Sequence, residues 1–408
     1  MQAVGKALRD ARLRRGLTQT EAGARTGYSG SAISRIENGG PIELNTLLDL
    51  AKCYDVDLWQ LGIGNVPPRP DPDSGGSDMH RRQFLAMAGL SVPVWALARL
   101  DESLTLMPDP PGPVSATAAA DHLDRCRALY DKGRHTDLVT NLPDLLAAGH
   151  QHAESTGTPH SWATLASSYE LATHILSKLG SHDSSRLTAD RAVIYARHAE
   201  SPVTIATATR ALSIVLRHQQ LADLAQRVNL DAITEIEKSG LNTPDERTMF
   251  VQMLCSTAYA AARSGDHDRA SELTRDADQA LRLLPPQPRC AATPVNATAL
   301  TPKQVQLYKV SMHNALGDSA AALEAARTLH PTMFPTAERR ARLFADLANA
   351  WWLHGRPDQS AKALTAAYRQ IPGEVVNRPA IRTLATNLIT SHPQTPDVHR
   401  LRSILTPD

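Results

Sequence analysis

The chain has 408 residues, 42% of them hydrophobic and only 4% aromatic, with 43 basic against 42 acidic side chains and a formal net charge of +1. Ala and Leu dominate and β-branched runs are scarce, which predicts an all-α protein long enough for two or three domains. The near-neutral balance excludes a polyanion-coating protein, so any contact with nucleic acid must come from a local patch. Cys53, Cys126, Cys255 and Cys290 are far apart and form no CxxC pair. That argues against a zinc site or a disulfide scaffold, and makes a reducing cytoplasm the expected compartment.

Residues 1–20 are polar and helix-forming, with no expected signal peptide. A first helix is predicted over Val4–Arg15, with Val4, Leu8, Ala11 and Leu13 towards a small core. Arg9, Arg12, Arg14 and Arg15 are expected mostly outside it. Gly16 stops this helix. Thr18 offers an N-cap hydroxyl and Glu21 completes a capping box. Gln19 falls in the first turn, where side chain and backbone N–H can meet a phosphate. Gly27 supplies a left-handed turn residue and Ser29 caps the next helix. There Ile33 and Ile36 face the core, turning Gly30, Ser31, Ser34 and Arg35 outwards, and Asn38-Gly39 ends the helix. A fourth helix, Glu43–Tyr54, packs Leu44, Leu47, Leu48 and Leu50 beneath, and Leu58–Leu61 completes a five-helix unit. Two short helices joined at Gly27 are the plan of a DNA-reading helix-turn-helix.

Over residues 4–62 this unit resembles the phage-repressor/Cro-type (XRE) DNA-binding family, whose fold is lambda-repressor-like. The resemblance is carried by Arg12, Leu17-Thr18-Gln19, Glu21, Gly27 and the run from Ile33 to Gly39. It implies that Gln19 and Asn38 contact backbone phosphates, and that Ser29, Gly30, Ser31 and Arg35 face base edges. Thr18 and Ser34 belong to the same DNA-facing set, while Arg12 and Glu37 brace the first helix against the recognition helix. Arg35 is the expected specificity residue, because a guanidinium fits guanine O6 and N7 bidentately. Two positions depart from the family pattern: Ala22 stands where a larger aliphatic residue is usual, and Gly23 where Ala is. One such module buries little surface, so the resemblance implies a homodimer on two half-sites of a double-stranded operator.

Residues 65–79, rich in Pro, Gly and Asp, read as a flexible linker between a DNA-binding domain at 1–64 and the rest. The segment 80–114 holds Arg81-Arg82-Gln83-Phe84-Leu85 and an apolar run, which together resemble a twin-arginine export signal. Its internal position and a run of about 14 residues, too short for a bilayer, argue against export or insertion. The expectation is an amphipathic connecting helix anchored by Trp95, closed by the Pro-rich Pro108–Pro113.

From 115 to 408 helix follows helix. Turns at Gly133, Gly180, Gln219–Gln220, Gly265, Gly317 and Gly355 are spaced by steps of 38 to 52 residues, and small residues such as Ala270, Ala277, Ala322 and Ala363 recur where helices must approach. This resembles a degenerate tetratricopeptide (TPR) α-solenoid, with Pro285–Pro302 as a long loop interrupting it. No P-loop, GxGxxG, HExxH or nucleophile elbow occurs, so no enzyme, cofactor or metal site is expected. Asn314 and Asn349 recur 35 residues apart, and Tyr259, Arg342, Trp351 and Trp352 lie in similar repeat phase. In TPR peptide-sensing regulators, groove Asn residues hold a peptide backbone, so Tyr259, Asn314, Arg342, Asn349 and Trp352 form a candidate effector groove. The competing reading makes the aromatic pair core and the Asn residues turn-formers. Two functions stand at this point. One is a cytoplasmic regulator whose solenoid senses a peptide, a small molecule or a partner protein. The other is a scaffold or adaptor that DNA binding merely localises.

Overall fold

The computed structural model describes residues 8–9, 11–13, 15, 17–37, 46, 49–50, 53–54, 92–106, 112–284 and 300–405. All regular structure among them is helical, and no described helix is long and apolar enough to cross a membrane. Asn38-Gly39, Leu44, Leu47, Leu48, the helix at Leu58–Leu61, the linker at 65–79, Arg81-Arg82 and the loop residues 285–299 lie outside the described residues. The chain divides into two compact units, Met1–His80 and Arg81–Asp408.

In the first unit, α1 is described at residues 8–9 and 11–13, followed by α2 (Gln19–Thr26) and α3 (Gly30–Glu37). Leu8, Ala11, Leu17, Ala22, Ile33, Ile36, Leu50 and Tyr54 make one small core. The first helix departs from expectation. Leu13 is 56% exposed and Arg12 is buried. Leu8, Ala11 and Arg12 share one helical face by their three- and four-residue spacing, and Leu13 falls off it. The capping box at Thr18 and Glu21 forms on both sides, and Gly27 closes α2 at φ 78°.

Gly23 and Gly30 sit where helices touch. A Cβ on Gly23 would lie 2.3 Å from the Tyr28 carbonyl oxygen. Helix propensity favours Ala over Gly by about 1 kcal/mol, but forcing atoms into a packed contact costs about 1–3 kcal/mol. Gly23→Ala should therefore lower the melting temperature of this unit, and a raised one would overturn the reading. Gly30 is also placed differently from the sequence expectation. A Cβ there would lie 3.2 Å from Thr20 Oγ1, so the residue faces α2 rather than solvent.

The second unit opens with α4 (Val94–Leu106), which packs on α6. Ala96, Leu100 and Leu104, four residues apart, are its buried stripe; Trp95, the expected anchor, is 59% exposed. Helix pairs follow: α5 (Ala116–Asp131) with α6 (His135–Thr156), α7 (Pro159–Leu179) with α8 (His182–His198), and α9 (Pro202–His218) with α10 (Ala222–Lys238). Then come α11 (Pro244–Ser264) with α12 (His267–Arg282), α13 (Pro302–Ala315) with α14 (Ser319–Ala326), and α15 (Ala337–Leu353) with α16 (Pro357–Gln370). Three shorter helices end the chain: α17 (Pro372–Val376), α18 (Pro379–Ser391) and α19 (Pro396–Leu405).

Every turn within a pair falls where the sequence places it, at a residue of positive φ: Gly133, Gly180, Gln220, Gly265, Gly317 and Gly355. The starts of the pairs carry a second signal. Thr158-Pro159, Ser201-Pro202, Thr243-Pro244 and Thr301-Pro302 each set an N-cap hydroxyl before a proline at the first helical position. This combination satisfies one orphan N–H and removes another. First helices stack on first helices, α7 on α9, α9 on α11, α11 on α13 and α13 on α15. The stack returns to its own beginning, because α15 packs against α5. Lys178 of α7 bonds Glu338 of α15 at 2.9 Å and Glu374 of α17 at 3.0 Å. Asn377 also lies 3.3 Å from His135 of α6.

Candidate nucleic-acid interface

Three side chains tie the first unit together. The Arg12 guanidinium donates to both Glu37 oxygens, Nε to Oε1 at 2.6 Å and Nη2 to Oε2 at 2.8 Å, and Nη1 donates to the Leu17 carbonyl at 2.6 Å. Gln19 Nε2 donates to Glu37 Oε2 at 2.9 Å. A planar fork of donors matched to a carboxylate is the geometry that makes such a pair strong. Burial disfavours the ionised Glu37, but the hydrogen bonds from Arg12 and Gln19 together with the Arg12 charge outweigh it. They hold its carboxyl below the usual range. The same bonds raise the Arg12 pKa against burial. At the start of α2, the Thr18 backbone and hydroxyl hold Glu21 low as well.

The network orients α3 against α2 and decides which residues remain outside. Arg35, Ser29 and Ser31 are exposed, and Ser34 is half-buried. Ser29 accepts the Ala32 N–H at 3.2 Å as the cap, and its hydroxyl lies 3.0 Å from that of Ser31. Thr18 is exposed but its hydroxyl is bonded to Glu21, and Gln19 has one amide N–H engaged by Glu37. Of the expected DNA-facing set, Gly30 alone turns towards α2, and Asn38 lies outside the described residues. Arg12 and Glu37 are joined in the brace implied by the family resemblance.

Of the expected groove residues, Arg342 and Asn314 meet on Asp346 and Tyr259 lies within electrostatic reach of Arg342, while Trp352 packs into a different core. Tyr259 of α11 lies under the Arg217 guanidinium, 5.1 Å from ring centroid to cation. Arg342 of α15 donates to Asp346 Oδ2 at 3.0 Å and to Ser311 Oγ at 3.2 Å. Asn314 is buried, and its Nδ2 donates to the Asp346 carbonyl at 2.9 Å, so it ties α13 to α15. Its Nδ2 acts as a brace, while its Oδ1 is buried with no hydrogen-bond partner among the described residues. Trp352 packs against the core formed by α15, α16, α18 and α19, with its ring edge-on to His392 at 5.9 Å. Asn349 is half-buried. Sequence reasoning missed Arg210, Arg217, Lys178, Glu338 and Glu374. Arg210 and Arg217 are seven residues apart and so share a helix face, which was the available signal.

No curated protein matches the chain. Residues 8–58 match the helix-turn-helix family model, the stretch that holds α1 to α3, and this match supports a DNA-binding regulator.

Proposed function

We propose that this chain is a sequence-specific transcriptional regulator. The first unit lays α3 in the major groove of a double-stranded operator. The stacked helices of the second unit, a TPR-like sensor, bind a peptide, small-molecule or protein signal. The chain acts as a homodimer in the cytoplasm. The observation that carries the reading is the buried Arg12–Glu37–Gln19 network, which fixes α3 while leaving Arg35 exposed beside Ser29 and Ser31. Arg35 is the base reader; Gln19 and Thr18, at the start of α2, serve the phosphate backbone with Asn38.

Selection of binding sites from random duplexes, followed by fluorescence anisotropy, tests this. Arg35→Ala should cost about 1–3 kcal/mol on the selected site and relax discrimination at one base pair. Gln19→Ala should weaken all duplexes alike. A protein that selects no sequence, or an Arg35→Ala variant with unchanged discrimination, would reject the assignment. Light scattering at micromolar concentration should give a dimer; a monomer both with and without operator would remove the homodimer.

A further inference from the structure

Several cations of the second unit are neutralised. Lys178 has Glu338 and Glu374, Arg378 has Glu374, and Arg342 has Asp346. Two arginines of α9 differ. Arg210 is 4% exposed; its Nη2 reaches the Tyr308 hydroxyl at 3.3 Å, while Nε and Nη1 are buried with no hydrogen-bond partner among the described residues. Arg217, two turns on, meets hydroxyls and a ring among the described residues: Nη1 donates to Ser213 Oγ at 2.9 Å and Ser256 Oγ at 3.3 Å, above the Tyr259 face. Burial without a carboxylate partner pushes the Arg217 guanidinium down to about 10. The Arg210 guanidinium, buried with two donor nitrogens unfilled, is strongly unfavourable unless something fills them.

The surroundings define what fits. His218, the next residue, is exposed at the surface. Its imidazole is nonetheless held down to about 3, by desolvation and then by Arg217, Arg378, His182 and Arg342. His182, Arg217, Arg342 and Arg378 all bear on His218 as positive neighbours. Arg342 also contributes to the field felt by Arg217. Glu170, the carboxylate nearest in charge to Arg210, is itself fully buried and its pKa is raised well above the ordinary value by that burial. It is no substitute for a paired anion. Guanidinium forks with free N–H groups donate to carboxylate or phosphate oxygens two at a time.

We infer that the face of α9 that carries Arg210 and Arg217 binds the carboxylate or phosphate group of a small ligand, with the Tyr259 and Tyr308 rings beside it. This deepens the sensor reading by naming the chemical class of the signal, and it rests on that reading only for the link to DNA. The full-length protein is titrated with inorganic phosphate and, separately, with citrate at constant ionic strength set by chloride, and followed by thermal melting. One or both should give a saturable rise in melting temperature, and the responding probe identifies the group. Arg217→Gln should abolish the rise, whereas Arg327→Gln, a change at an exposed arginine paired with Glu324, should keep it. Circular dichroism checks the fold of each variant. If Arg217→Gln does not fold, Arg217→Lys keeps the charge, loses the fork, and should bind about tenfold more weakly. No saturable rise with either probe, or equal rises in wild type and the Arg217 variant, would overturn the site. Anisotropy on the selected operator forms a separate arm. Saturable anion binding with unchanged operator affinity would reject the sensor role and leave the site standing.

Discussion

Arg12→Ala is expected to unfold the first unit. It leaves Glu37 buried with its strongest partner gone, and breaking a buried ion pair on one side costs about 3–5 kcal/mol. A unit of this size has only about 3–9 kcal/mol of total stability. Hydrogen exchange on the full chain should show residues 17–37 losing protection while α7 and α11 keep theirs, and operator binding should vanish with it. The reverse truncation, Glu37→Ala, strands the guanidinium and should be as severe. Removing both at once should be milder than the sum, because neither charge is then left alone. Protection of α3 unchanged in Arg12→Ala would refute the role of the brace. The same pair sets an acid limit. The folded pKa values of Glu37 and Glu21 lie below the ordinary glutamate value, so their stabilisation is fully present above that value. It is lost as the pH falls through the folded values. Operator binding should therefore fail at acid pH below the ordinary carboxylate range, well before the Ala-rich stack has melted.

Lys178→Ala should open the seam at which the stack meets its own beginning. Lys178 stands between Glu338 and Glu374, with side-chain exposures of 12%, 8% and 0%. Its removal leaves two buried carboxylates that repel each other, moderated by Arg339 beside Glu338 and by Arg378 on Glu374. The expected loss is about 3–5 kcal/mol at the seam. Stacked repeats are held mainly by nearest neighbours, so the pairs themselves should stay folded. Small-angle scattering should then show an expanded particle with an unchanged helical spectrum, and exchange should rise at residues 372–378. A scattering profile identical to wild type would show that the apolar contacts around Ile371 hold the closure without the charges.

The fold was largely legible from residue order because its punctuation is local. Thr18 with Glu21, the αL glycine at Gly27 and the repeat turns at Gly133, Gly180, Gly265, Gly317 and Gly355 each follow from the chemistry of one or two residues. The Thr/Ser-Pro starts are equally local and give the pair boundaries that the drifting glycine period leaves loose. The site was less legible. By periodicity alone Arg12 reads as a surface residue and Leu13 as core; only the family resemblance implied the Arg12–Glu37 brace, which buries Arg12 against a residue 25 positions away and leaves Leu13 exposed. Trp95 has the bulk of an anchor, but the small-residue stripe of Ala96 with Leu100 and Leu104 lets α4 sit close to α6, and the indole is left outside.

Residue order therefore specifies the all-α class, the helix-turn-helix, the pairing of helices and the turn positions, since these depend on caps, φ preferences and 3.6-residue periodicity. What Gly23 and Gly30 are for, which asparagines brace, and which arginines lack a carboxylate depend on atoms brought together across repeats. Asn314 and Arg217 carry no mark in the sequence that separates a brace from a spare donor. The difference lies in the distance to Asp346 in one case and in the absence of a carboxylate in the other, among the described residues. Close packing and charge pairing over long separations are properties of the folded chain, which residue order alone does not display.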